Sequence, residues 1–313
     1  MAVGPTTAMV RLDWTDVAAP DGTTIRRWER VPPDATEAVF FVHGATYGGR
    51  SAFDPAGVSW LESAASGGRA AYAVDVRGYG DSERPAALDA PAEANGPVVR
   101  ASTAASDVAA ALGDVRDAYD SVHLVGYSWG TIIAGLAILD RGVEVESLVA
   151  YGPVYRPPES HRGRFDVGDP PAAYRRVTRT EARERWAAQR PDGTVPEGAF
   201  DAFWEALASS GQRAGDDVVV APNGTLVDIE AAIDAPPYDA GAVDLPTLVV
   251  RGSLDTASTR TDALGLYDAL GAEDRSYLEI AGGTHFLQFE PRRAVLFDAV
   301  SGFHDRVGRG APH

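Results

Sequence analysis

The stretch Val122–Thr131, VHLVGYSWGT, limits what this chain can fold into more than any other. Val122–Val125 is a short apolar run of the kind that forms a buried strand. Gly126–Gly130 reads G-Y-S-W-G, and Thr131–Leu139 is apolar and helix-compatible. Strand, G-x-S-x-G, helix is the setting of a nucleophile elbow. A strand turning sharply into a helix holds its central residue in a strained conformation, and glycines on either side leave room for the crossing. Ser128 is therefore expected at the carboxyl edge of a sheet, facing the free N–H groups that begin a helix. The motif also occurs as a plain glycine-rich turn, so its meaning depends on partners elsewhere.

The rest of the chain alternates between strand and helix patterns. Met9–Trp14 and Thr24–Val31 flank the turn dipeptide Asp21-Gly22 and read as edge strands. Ala38–Val42 (AVFFV) reads as a buried strand running into a glycine-rich loop, His43–Gly49, where backbone amides can approach a ligand. Helices are expected over Phe53–Ala65 and Thr103–Tyr119, and strands over Ala70–Val74 and Val145–Tyr151. From Tyr155 to Asp244 the alternation breaks: this part is rich in Arg and Pro, with helix-like segments at Thr180–Gln189 and Phe200–Ser209. Strand–helix order returns with Thr247–Arg251, Thr261–Leu270, Arg275–Ile280 and Pro291–Arg306. Such alternation implies an α/β fold with a mostly parallel sheet covered on both faces. Residues 1–154 and 245–313 would form the core, with a helical insert, 155–244, after the sixth strand. Ligands of such sheets bind at the carboxyl ends of the strands, which the insert would roof.

A serine hydroxyl needs a base, and the base an orienting acid. The chain has six histidines. His123 lies within the elbow strand, His161 in an Arg- and Pro-rich loop, and His304 and His313 near the carboxyl end. His43 belongs to the glycine-rich loop. His285, in AGGTHF directly after the last strand, is best placed to reach Ser128 as base. Asp255, in the GSLDT loop after Thr247–Arg251, is the matching acid; Asp262 and Asp244 are weaker alternatives.

Composition narrows the function classes. There is no cysteine, which removes disulfides, thiolate metal sites and a cysteine nucleophile. All 28 basic residues are arginine, and the net charge of −17 opposes a nucleic-acid partner. No run approaches the roughly 18 apolar residues that span a membrane, and MAVGPTTAMVRLDW lacks a secretion signal, so a cytoplasmic location is expected.

Taken together, HGAT at 43–46, DVRGYGDS at 75–82, GYSWG at 126–130, Leu254-Asp255 and GGTH at 282–285 resemble the α/β-hydrolase superfamily, in its form with a lid. The order Ser128, Asp255, His285 is that of its triad. The resemblance implies Ser128 as nucleophile, Asp255 as acid and His285 as base. It also implies an oxyanion hole from the backbone N–H groups of Ala45 and Trp129, and no cofactor or metal. It gives His43 a structural role. Asp75 and Arg77 read as loop-fixing groups. Tyr47, Tyr127 and Trp129, and from the insert Tyr155 and Trp204, are candidates to contact substrate. The arginines at 156, 162, 164, 175, 176, 179, 183 and 185 read chiefly as a solvated face, with an acidic substrate as the lesser alternative.

The leading expectation is hydrolysis of a carboxylic ester, lactone or related acyl bond in a small molecule. A carbon–carbon bond hydrolase shares the triad. The Ser-Trp-Gly of GYSWG is similar to that of proline iminopeptidases, but HGAT replaces their Gly- and Pro-rich oxyanion loop. Ser128 opposes dehalogenation, which needs a carboxylate nucleophile, and the absence of lysine opposes a hydroxynitrile lyase. Perhydrolysis would be a side reaction. A ligand-binding protein that keeps the fold without turnover is the non-enzymatic alternative. Oligomeric state has no signature in the sequence.

Overall fold

The computed structural model describes residues 10–164 and 168–309. The chain starts with a hairpin, β1 (Asp13–Ala18) and β2 (Thr24–Arg30), closed at Asp21-Gly22. The first strand thus lies later than the expected Met9–Trp14, of which Met9 falls outside the described residues. β3 (Glu37–Val42) is followed by two short helices, α1 (Gly49–Phe53) and α2 (Trp60–Ser66). One helix was expected over Phe53–Ala65. Pro55 and the positive φ of Gly57 divide it, because proline biases its predecessor away from helix. β4 (Ala70–Asp75), α3 (Ala101–Ala118), β5 (Ser121–Tyr127), α4 (Trp129–Arg141) and β6 (Ser147–Tyr151) then alternate.

After β6 the chain leaves the sheet. It forms β7 (Tyr174–Thr178), α5 (Arg179–Ala187), α6 (Glu197–Ala208), β8 (Arg213–Gly215), β9 (Val218–Pro222) and α7 (Gly224–Asp234). The insert is therefore not helical alone: β7, β9 and β8 make a small antiparallel sheet. The Val-Val-Val-Ala run of β9 supplies its buried strand. Tyr174–Thr178, YRRVT, shows no such run and carries no strand signal in the sequence. β10 (Thr247–Gly252), α8 (Arg260–Ala269), β11 (Arg275–Ile280) and α9 (Arg293–Gly308) complete the core.

Eight of the described strands form one sheet in the order β1-β2-β4-β3-β5-β6-β10-β11. β1 and β2, and β2 and β4, pair antiparallel; the remaining pairs are parallel. β2 is thus an interior strand rather than the expected edge strand. The unbroken apolar run of β3 follows from burial on both faces. Phe40 and Val42 pack with the α3–α4 layer, while Val39 and Phe41 pack with α2 and α9.

β6 and β10 are parallel neighbours. A chain leaving β6 at the carboxyl edge must return to the amino edge to start β10, a crossover of a dozen or more residues that a helix usually makes. α7 is that helix. Its Ala232, and Tyr238 just beyond it, belong to the same apolar cluster as α3 and α4. Asp228 of α7 accepts the N–H of Ala101 at 2.7 Å and the indole N–H of Trp129 at 3.0 Å. The insert's other elements dock through aromatics: Trp186, Phe200 and Phe203 pack against Tyr47, Phe286 and Phe289 of the core. No helix of the described residues is long and apolar enough to cross a membrane.

Candidate active site

Ser128 stands between β5 and α4 with φ 56° and ψ −123°, a conformation that non-glycine residues rarely adopt. Packing enforces it. A Cβ on Gly126 would lie 2.6 Å from the Gly130 carbonyl oxygen, and one on Gly130 would lie 2.6 Å from that of His43. Only two glycines let strand, turn and helix pass this closely. The Ser128 N–H is held by the Tyr151 carbonyl at 2.9 Å.

His285 and Asp255 meet at this edge from the loops after β11 and β10. His285 Nδ1 lies 2.8 Å from Asp255 Oδ2, and both side chains are buried. The other carboxylate oxygen, Oδ1, accepts the N–H groups of Ala257 and Ser258, each at 2.8 Å. Asp255 is thus an acceptor at both oxygens, and the ring donates through Nδ1–H, leaving Nε2 as its acceptor. The His285 backbone is fixed as well. Its carbonyl accepts the hydroxyls of Tyr127 at 2.8 Å and Tyr151 at 3.2 Å, and its N–H donates to Gln189 Oε1 at 2.9 Å. Asp262, the alternative acid, does not face the ring: its Oδ1 accepts the N–H groups of Tyr155 and Arg156. Asp244 is exposed.

Ser128 and His285 line one cavity of about 420 Å³ between the sheet edge and the insert. Among the described residues Ser128 Oγ has no hydrogen-bond partner, so serine and imidazole are linked by sharing this space; such pairs often tighten only around substrate. Ala45 lines the cavity next to the serine, and the loop before it runs against the elbow: a Cβ on Gly44 would lie 2.8 Å from Ser128 Cβ. Trp129 opens α4, so its N–H is one of the first-turn amides without a partner inside the helix.

The aromatic candidates divide. Tyr47 and Tyr127 line the cavity. Trp129, Tyr155 and Trp204 do not. The Trp129 ring is buried in the core with its indole N–H spent on Asp228, Tyr155 packs on Tyr238, and Trp204 lies in the cluster that docks the insert. Aromatic spacing alone does not tell a docking ring from a cavity ring.

The other sequence candidates lie elsewhere. Buried His43 has Nδ1 2.8 Å from the Gly44 carbonyl oxygen, while its Nε2 accepts the Val76 N–H, and burial pushes its pKa down to about 4. His123 and His304 stack at 4.2 Å in the interior. His313 lies outside the described residues. Asp75 accepts N–H groups from Gly49, Asp81 and the Trp28 indole, and Arg77 is bridged to buried Asp107 at 2.6 Å.

The solvated face expected of the arginines is only part of the outcome. Arg162, Arg179 and Arg183 form surface ion pairs, but Arg164, Arg175 and Arg185 line the cavity, as does His161. Two glutamines had no sequence signal. Gln189 holds the His285 loop, and buried Gln212 accepts the N–H groups of Gly48 at 3.1 Å and Gly80 at 3.0 Å. A polar residue in a loop signals its acceptors only once the fold brings them near.

A sequence profile described as "Alpha/beta hydrolase family" matches residues 39–299. No curated protein matches the chain. Solved structures similar in fold include an esterase from Exiguobacterium antarcticum, 19% identical, covering 92% of this chain and 98% of its own with a TM-score of 0.63. A bromoperoxidase from Bacillus anthracis is 20% identical, covering 93% and 100% at a TM-score of 0.65. A meta-cleavage product hydrolase is 17% identical, covering 93% and 98% at a TM-score of 0.65.

Proposed function

Because the chain belongs to the alpha/beta hydrolase family, we propose that it is a serine hydrolase of carboxylic esters or related acyl bonds, working through an acyl-enzyme on Ser128. The observation that carries this reading is the Asp255–His285 bond of 2.8 Å beside a cavity that His285 shares with a serine at positive φ. In this reading His285 Nε2 takes the hydroxyl proton as Ser128 Oγ bonds to the acyl carbon. Asp255 keeps the ring in the required tautomer and stabilises the imidazolium. The N–H groups of Ala45 and Trp129 receive the oxyanion; losing one such donor typically costs on the order of 10²–10³ in rate. His285 then returns the proton to the departing alkoxide, and the C–O bond to the alcohol breaks. A water molecule gives its proton to Nε2 as its oxygen bonds to the acyl carbon; the bond from that carbon to Ser128 Oγ then breaks, Nε2 returns the proton to Oγ, and the acid is released. The insert, residues 155–244 in outline, acts as a lid over this chemistry.

The test is the burst of 4-nitrophenolate from a short-chain 4-nitrophenyl ester, run beside Ser128→Ala, with fluorophosphonate labelling of Ser128. Labelling of the native protein and loss of the burst in the variant are expected. Equal rates in both would leave a ligand-binding protein of this fold. Parallel assays with an amide and a vinylogous 1,5-diketone separate ester from peptide and carbon–carbon cleavage.

A further inference from the structure

We propose that the substrate carries a carboxylate, seated in the cavity between Arg175 and Arg185; this rests on the serine-hydrolase reading above. Among the described residues no Asp or Glu lines the cavity, whereas Arg164, Arg175 and Arg185 all do. The whole protein has a net charge of −17, so this cationic lining runs against the field of the molecule and is a local feature.

Arg175, on β7, is held by neutral acceptors. It donates to Thr46 Oγ1 at 2.6 Å, the Pro222 carbonyl at 2.8 Å and Asn223 Oδ1 at 3.2 Å. It forms no ion pair with a carboxylate of the described residues. A guanidinium has five N–H donors, and these three bonds leave two unspent. Surrounding protein strips water from the charge and lowers the pKa to about 10. A poorly solvated cation without a counterion is costly, and an anionic ligand relieves that cost.

Arg185, on α5, likewise has no ion pair among the described residues. Beside these two, the buried Tyr47 hydroxyl faces the Arg185 guanidinium and makes no close hydrogen bond among the described residues. Two cations with a hydroxyl beside them together suit a planar, bidentate acceptor. The site also has a position relative to the chemistry: Thr46, which Arg175 holds, directly follows Ala45 of the proposed oxyanion hole. The carboxylate then sits on the acyl side of the scissile bond.

The experiment is calorimetric titration of the Ser128→Ala protein with monomethyl adipate, which carries one negative charge, and dimethyl adipate, which carries none. The monoester is expected to bind at least about tenfold tighter, the lower range for a charge-assisted hydrogen bond. Adding Arg185→Gln or Arg175→Gln is expected to bring the ratio of the two affinities close to one. Equal affinities in the starting protein, or no detectable binding of the monoester, overturn the proposal. So does a loss in both arginine variants that is the same for the two esters, since that marks a purely structural role. Arg185 is exposed, so its variant stands if Arg175→Gln does not fold. Fluorophosphonate labelling of Ser128 does not depend on these arginines, so failure of the hydrolase reading and failure of the anion site are told apart.

Discussion

Gln212 Nε2 donates to the Thr46 carbonyl at 2.9 Å, tying the insert to the loop that carries Ala45. The same amide group donates to the Val220 carbonyl at 3.0 Å, and its oxygen takes the N–H groups of Gly48 and Gly80. One buried side chain thus satisfies four backbone groups on three segments. Gln212→Leu keeps the bulk and strands all four. A stability loss of about 2–4 kcal/mol in urea unfolding is expected. A change below about 0.5 kcal/mol would show that the loops close without it.

Gly152 follows β6 at φ 54°, and a Cβ there would lie 3.1 Å from His285 Cε1 and 3.3 Å from Asp255 Oδ2. Gly152→Ala is expected to displace the imidazole with the fold intact. The ring must give by a few tenths of an ångström; since a full ångström costs about a hundredfold, a loss of about threefold to tenfold in kcat is expected. Steady-state kinetics, with circular dichroism as the control for folding, checks this; near-native kcat would mean the dyad tolerates the crowding.

His43 sets a peptide plane. Val76 donates to its Nε2, so Nδ1 carries the proton and donates to the Gly44 carbonyl. In a trans peptide the Gly44 carbonyl and the Ala45 N–H point in opposite directions, so the ring fixes where that N–H points. His43→Ala is expected to lower kcat by about tenfold to a hundredfold with a smaller change in KM, as for a donor used only in the transition state. A rise in KM at constant kcat would contradict this.

Asp262 makes stability pH-dependent. Its Oδ2 is buried without a partner among the described residues, and burial raises its pKa to about 7. In the unfolded chain it titrates near about 4. Between those values the folded protein holds a proton that the unfolded chain has released. Stability therefore falls as pH rises from about 4 to about 7 and levels off above. Asp262→Asn removes this contribution, so relative to native protein it should gain about 2–4 kcal/mol between pH 5 and pH 8. Identical pH slopes for the two proteins in urea unfolding would refute the assignment.

The sheet and the elbow were legible because their signals are local: an apolar run, two glycines and a serine between them. The Asp255–His285 pairing was legible because each follows a recognisable strand, and strand ends share one edge. The insert was not. Besides its docking aromatics, it is tied to the core by single polar side chains, Gln189, Gln212 and Arg175, whose partners are backbone or hydroxyl groups distant in sequence. Tyr155 and Trp204 misled because burial against another ring and exposure to a cavity ask for the same residue type.

The parallel pairing of β6 with β10 has a consequence for engineering. Departure and re-entry lie at opposite rims, so excising everything between the two strands would leave a gap that a short turn cannot bridge. A transplant of the roof from a relative should cut near Asn223, ahead of α7, and retain that helix as a strut. Swapped this way, the segment between β6 and α7 becomes a replaceable module, while the strut keeps the recipient's own layer intact.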